Sequence, residues 1–178
     1  MSTSTHGRAS TSSADSDPIE RRRTQAERSE TTTEDLIGAA RRLFATKGFP
    51  ATSIQEIVDE AGVTRGAMYH HFTSKEQLFE AVFEREQEHL GRRVHEAASR
   101  KRGAWAQLKA GCDEFLDAAL DPETQRILLI DARAVLGAQR IQEIDEAHAI
   151  QLLTMVIEKA MDEGTLRKRA VMPLVQLL

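Results

Sequence analysis

Residues 53–72 read Ser53-Ile54-Gln55-Glu56-Ile57-Val58-Asp59-Glu60-Ala61-Gly62-Val63-Thr64-Arg65-Gly66-Ala67-Met68-Tyr69-His70-His71-Phe72. Ser53 and Glu56 form a capping box, in which the hydroxyl takes a free backbone N–H and the glutamate reaches back to the cap. Ile54, Ile57, Val58 and Ala61 recur at helical spacing, and Gly62 stops this helix after about two turns. Thr64 caps a second short helix running to about Phe72. A short helix, a glycine turn and another short helix make a helix-turn-helix, whose second element can lie in a DNA major groove.

That second helix has unusual content. Gly66 costs about 1 kcal/mol against alanine in a helix, which is tolerable if the backbone must approach another surface closely. Thr64 and Arg65 stand at the end that meets base edges in this motif. Arginine can donate two bonds to guanine, and threonine can bond a base or touch a thymine methyl. Tyr69 and His70 offer donors for phosphates, while Met68 and Phe72 are core anchors. Ser74 then caps a further helix with Lys75 in its first turn. Lys75 reads either as an anion site for a DNA phosphate or as an ordinary exposed lysine.

Upstream, a helix is expected from about Thr32 to Lys47. Thr31-Thr32-Thr33 offer hydroxyl caps, Leu36, Ile37, Ala40, Leu43 and Phe44 form its apolar stripe, and Gly48 is its left-handed stop. Residues 1–29 are read as a disordered Ser/Thr-rich tail carrying Arg21-Arg22-Arg23 and Arg28. The cluster is either a solvated charge run or a flexible arm for a minor groove. Acidic and basic residues balance over 1–30.

Composition bounds the rest. The 178 residues carry 24 Lys+Arg and 28 Asp+Glu, a net charge of −4, so any DNA binding must come from a local surface. One cysteine excludes an internal disulfide framework and a cysteine-rich zinc module. The longest aliphatic run, Ile127–Ile130, is far short of a bilayer span, and the polar N-terminus is no secretory signal. A soluble cytoplasmic protein is expected. No two histidines stand four residues apart as metal ligands on a helix, no phosphate loop follows a strand, and Cys112 reads as a small core residue. No metal, cofactor or enzymatic activity is expected.

The run from Ala39 through Gly48-Phe49-Pro50-Ala51-Thr52-Ser53, Ala61-Gly62-Val63-Thr64-Arg65-Gly66-Ala67-Met68-Tyr69-His70-His71-Phe72 and Ser74-Lys75 resembles the N-terminal domain of TetR-type transcriptional regulators. The resemblance covers about residues 32–85. It implies an all-α homodimer whose helix-turn-helix domain is joined by a connecting helix to a helical ligand-binding and dimerisation domain. It also implies that Thr64, Arg65, Gly66 and Ala67 face bases, that Tyr69, His70 and Lys75 hold phosphates, and that Thr52 or Ser53 does so at the start of the first motif helix.

The DNA-binding domain is taken as 30–77, with its motif at about 52–72, and the C-terminal domain as 78–178. In the latter a long helix is expected from Leu78 to about Arg100. A second runs from Ala104 to Leu120 with Trp105, Leu108, Cys112, Phe115, Leu116 and Ala119 on one side. An apolar central helix over Ile127–Leu136 and a long helix over Ile141–Met161 follow. Candidates for a ligand pocket are Trp105, Phe115, Leu116, Leu128, Arg133, His148, Leu152 and Met155, Arg133 and His148 being polar within apolar helices. They read equally as core or surface residues. The last residues begin an amphipathic helix and stop, so a shortened chain is expected, and with it a poorer dimer.

The expected function is a transcriptional regulator on a palindromic double-stranded operator, most often a repressor in such proteins, released by a small, mostly apolar effector. The other reading is a helical interaction protein on the same scaffold that has lost DNA binding.

Overall fold

The computed structural model describes residues 18–148 and 150–175, with the side chains of 27–145 and 153–175. Among them every regular element is helical. The order is α1 (Pro18–Lys47), α2 (Ile54–Ala61), α3 (Arg65–His71), α4 (Lys75–Ser99), α5 (Ala104–Leu120), α6 (Pro122–Gln125), a π-helical stretch (Arg126–Asp131), α7 (Ala132–Val135), α8 (Gly137–His148), α9 (Ile150–Asp162) and α10 (Val171–Val175). None is long and apolar enough to cross a membrane.

The local signals around the motif hold. Glu56 N–H donates to the Ser53 hydroxyl and Ser53 N–H donates to the Glu56 carboxylate, completing the capping box. Lys47 bridges to the same carboxylate at 2.6 Å and ties the end of α1 to the start of α2. Hydrogen bonds from Lys47 and Ser53 push the Glu56 carboxyl down to about 2. Gly62 ends α2 at φ +67, the left-handed region a side chain resists. α1 contributes Leu36, Ile37, Ala39, Ala40 and Phe44 to the core, α2 Ile57 and Val58, α3 only Met68, and α4 Leu78, Phe79, Val82 and Phe83. Ile127, Ala132 and Ile144 of the C-terminal half join this same core. The two halves are therefore bolted together rather than strung on a linker.

Three expectations need correction. α1 starts at Pro18, not Thr32, so residues 18–29 are helical; the rest of the expected tail lies outside the described residues. The hydroxyls of Thr31, Thr32 and Thr33 do not cap. Each donates to the carbonyl four residues back, as mid-helix threonines do.

The second concerns α5. Its buried residues are Ala104, Gly111 and Ala118, seven apart, packed against α4. A Cβ on Gly111 would come within 3.3 Å of Val94 Cγ1, so the glycine is what lets the two helices approach. Trp105, Phe115 and Leu116, expected inside, are exposed. Close helix packing favours small residues at the contact, and that won over burying the larger apolar face.

Third, the segment over Ile127–Leu136 is no uniformly buried helix. It widens into a π-turn, burying Ile127 and exposing Leu129 and Ile130.

Candidate nucleic-acid interface

Recognition helix α3 stands proud of the core. Only Met68 is buried, while Thr64, Arg65, Gly66, Tyr69 and His70 are exposed and Ala67 is half-buried. Thr64 accepts from Ala67 N–H through its hydroxyl oxygen at 3.1 Å, which leaves its own O–H to donate outward. The Arg65 guanidinium lies 5.7 Å from the centre of the Tyr69 ring, within cation–π range. The ring thus supports Arg65 without using its fork of donors. A stacked arginine loses less freedom on meeting guanine than a free one.

Gly66 has an ordinary negative φ, and a Cβ there would find nothing closer than the Thr64 hydroxyl at 3.9 Å. Nothing within the protein requires this glycine. Gly66→Ala is therefore expected to raise the unfolding free energy by about 0.5–1 kcal/mol while weakening operator binding. Melting curves and DNA titrations read the two signs separately. A variant that gains stability and binds DNA as before would remove the close-approach role.

The approach to α2 differs from expectation at one residue. Thr52 is 1% exposed, its hydroxyl donating to Gly48 O at 2.8 Å. It pins the turn between α1 and α2 and cannot reach a phosphate. Ser53 is exposed and stays at the surface beside the N-terminus of α2, though its hydroxyl is engaged by Glu56.

Lys75 is neither a free lysine nor a bare anion site. Its ammonium donates to Phe49 O and Thr52 O, both at 2.9 Å, and sits 4.1 Å from the centre of the Phe49 ring. Two of its three donors are thus spent on the α1–α2 turn. Neither the glycine-turn pattern nor the cap Ser74 signalled this clamp, because its partners are backbone carbonyls.

Another group missed in the sequence is Asp131. Its buried carboxylate accepts from Phe49 N–H at 2.7 Å, and nearby Arg126 donates to Thr46 O at 3.2 Å. Arg41 of α1 joins Glu86 of α4 at 2.8 Å and Glu123 of α6 at 3.1 Å. The turn at 48–52 is therefore held from two sides, by α4 through Lys75 and by the C-terminal half through Asp131.

Among the expected pocket residues whose side chains are described, none is buried. Trp105, Phe115, Leu116, Arg133 and Met155 are exposed, and Leu128 packs partly buried against the N-terminal core. The side chains of His148 and Leu152 lie outside the described residues. A small cleft between α1 and α4 is walled by Arg41, Glu86, Arg85 and Glu34, whose charges are already paired with one another. Cys112 is half-buried, and burial pushes its thiol up, away from nucleophilic use.

Comparison with known proteins agrees with this arrangement. Residues 36–82 match the family described as bacterial regulatory proteins, tetR family, and residues 105–178 match the tetracyclin repressor-like C-terminal domain. A TetR-family transcriptional regulator of Pectobacterium atrosepticum has a similar crystal structure, with a TM-score of 0.74 and 31% identity over 85% of this chain and 77% of that one. The transposon Tn10 TetC protein of Escherichia coli is 28% identical over 149 residues, 84% of this chain and 75% of TetC. The transcriptional repressor KstR2 of Mycolicibacterium smegmatis is 45% identical over 49 residues, 28% of this chain and 24% of KstR2. With its helix-turn-helix exposed on α3 and its helical second half matched as well, the chain belongs to the TetR family of bacterial regulatory proteins.

Proposed function

We propose that this chain is a cytoplasmic, non-enzymatic repressor that binds a palindromic operator as a dimer and lets go when a small apolar compound binds its C-terminal half. The carrying observation is that Arg65, Gly66 and Tyr69 project from α3 with no protein covering them. Paired recognition helices would enter successive major grooves, about 34–36 Å apart. Arg65 and Thr64 would read base edges. Tyr69, His70, Ser53 and the remaining donor of Lys75 would fix register on phosphates.

Release needs a state of the dimer that the effector favours by differential affinity. The doubly held turn at 48–52 supports a route for it. A shift of the π-helical stretch moves Asp131, Asp131 moves Phe49, and Phe49 shares its carbonyl with Lys75 at the head of α4. The uncovered apolar residues Trp105, Phe115, Leu116 and Met155 are the surface on which an apolar effector would seat, with Arg133 at hand for a polar group.

The test starts from duplexes selected by the protein from a random-sequence pool. Arg65→Ala is expected to lose about 1–3 kcal/mol of discrimination between the selected site and a single-base variant, with steep salt dependence retained. Binding by the unaltered dimer that ignores sequence would favour the interaction-module reading instead.

A further inference from the structure

The recognition helix is lightly held. Of its residues Arg65–His71 only Met68 is buried, and the capping Phe72 enters the core just beyond it. Stepping about 100° per residue, Arg65 and Tyr69 share the outer face of α3. His71 falls on the back, about 60° around from Met68 and three residues further along. Apolar burial at Met68 and Phe72 keeps α3 against the core but fixes its roll weakly, because such burial is non-directional. A two-pronged reading of guanine by Arg65 needs both bonds aligned, so roll matters.

His71 supplies the missing direction. It is half-buried, and its Nδ1 lies 3.1 Å from the hydroxyl oxygen of Thr33 in α1. The Thr33 O–H is spent on Ser29 O at 3.0 Å, so the hydroxyl oxygen accepts and the ring carries its proton on Nδ1. Among the described residues no other α3 side chain is hydrogen-bonded to a different helix. The seat of this bond is itself fixed. Next along α1, the Glu34 carboxylate takes a two-pronged bond from Arg85 of α4 at 2.6 and 2.8 Å. Two neighbouring residues of α1 thus tie α3 to the helix that leads into the C-terminal half. On the exposed side, the His70 ring stands edge-on to His71 at 5.5 Å between centres, so the set of His71 also orders His70.

We propose that His71 is a positioning residue for operator recognition: bonded to Thr33, it sets the roll of α3 and so the aim of Arg65, without itself touching DNA. This rests on the operator-binding reading above and adds what holds the reading helix in register.

The experiment uses the full chain, the selected duplex and an unrelated duplex of equal length. His71→Phe keeps a ring on the back of α3 and removes the donor; Thr33→Val keeps the shape of the seat and removes the acceptor. Each is expected to bind the selected duplex about tenfold more weakly, one hydrogen bond being lost in each protomer. Binding to the unrelated duplex should change by less than about twofold, and the slope of log K against log salt should stay as it is, since no phosphate contact is removed. The two changes remove one and the same bond, so the double variant should bind no more weakly than either single one. Rescue separates the two ring nitrogens. An asparagine amide stands where Nδ1 stands and a glutamine amide where Nε2 stands, so His71→Asn should recover the selected affinity and His71→Gln should not.

Recovery by His71→Gln alone, with a salt slope shallower by about 0.9 per protomer in His71→Phe, makes the histidine a direct phosphate ligand and overturns the positioning role. Losses in the two single variants that add in the double, or a Thr33→Val variant that binds as the unaltered protein does, also overturn it. Equal losses on both duplexes locate the defect in the fold or the dimer and overturn it too. An unaltered protein that shows no sequence preference overturns the regulator reading first and the positioning role with it.

Discussion

Phe79→Ala is expected to lower the unfolding free energy by about 3–5 kcal/mol, the largest stability effect of any single truncation near the interface. Phe79 is fully buried on α4, and its ring lies 5.3 Å from both Phe44 of α1 and Phe49 of the turn, edge-on to each. Phe44 and Phe49 are themselves 5.5 Å apart. The cost has two sources: the transfer and cavity terms of a lost benzyl group, and two aromatic pairs at about 0.5–1.5 kcal/mol each. These overlap and are not summed. The functional consequence follows from position, because Phe49 carries the carbonyl and ring that Lys75 grips. Without Phe79 the turn loses its floor, and α2 loses its fixed angle to α4. In urea, with m near 2 kcal/mol/M, the midpoint should fall by about 1.5–2.5 M. Operator binding should fail at temperatures where the unaltered protein still binds. A midpoint shift below about 0.5 M would mean that the cavity collapses and the triad carries little.

The parts of this molecule legible in its sequence are those fixed by local chemistry. The Ser53–Glu56 box, the left-handed Gly62 and the Thr64 cap each involve residues within a few positions of one another, so composition and spacing identify them. The exposure of Arg65 and Tyr69 was legible for a related reason: a seven-residue helix with Met68 as its one large aliphatic residue cannot bury much. The pairing of α4 with α5 was illegible because the contact is made by Ala104, Gly111 and Ala118. Small residues scarcely register in a hydropathy pattern, and the larger Trp105, Phe115 and Leu116 drew the inside face to the wrong side. The early start of α1 was missed because its first turns hold one large apolar residue, Ile19, and no apolar stripe, and such a helix reads as a tail. Asp17-Pro18, with proline at the first helical position and glutamate soon after, was the available signal. Asp131 and Lys75 show a third limit. Both act on backbone groups of the 48–52 turn across the tertiary structure, and no side-chain pattern records which carbonyl or amide a charge will meet.

Lys75→Met separates the clamp from the phosphate contact that the family resemblance implies. Methionine keeps an unbranched chain over the Phe49 ring but removes every donor, so Phe49 O and Thr52 O lose the ammonium that holds them. Charge-assisted bonds contribute about 1.5–3 kcal/mol each when buried and less when water can replace the lost donor. The site is only half-buried, so a combined loss of about 2 kcal/mol is expected. The same change should weaken binding to the selected operator and to unrelated duplexes alike, because the lysine meets no base. Its salt dependence distinguishes the two roles. If the third donor of Lys75 reaches a phosphate, the slope of log K against log salt becomes shallower by about 0.9 for each protomer. If Lys75 acts through the turn alone, the curve drops without changing slope, since no counterion release is lost. Both the stability loss and the shallower slope are expected, because one ammonium can hold two carbonyls and still present a hydrogen at the head of α4, where the helix dipole also favours an anion. An unchanged unfolding free energy would remove the clamp and return Lys75 to an ordinary surface cation. A lower stability at constant slope would leave the turn as its whole function, and would make the 48–52 segment the place where the state of the C-terminal half is passed to the DNA.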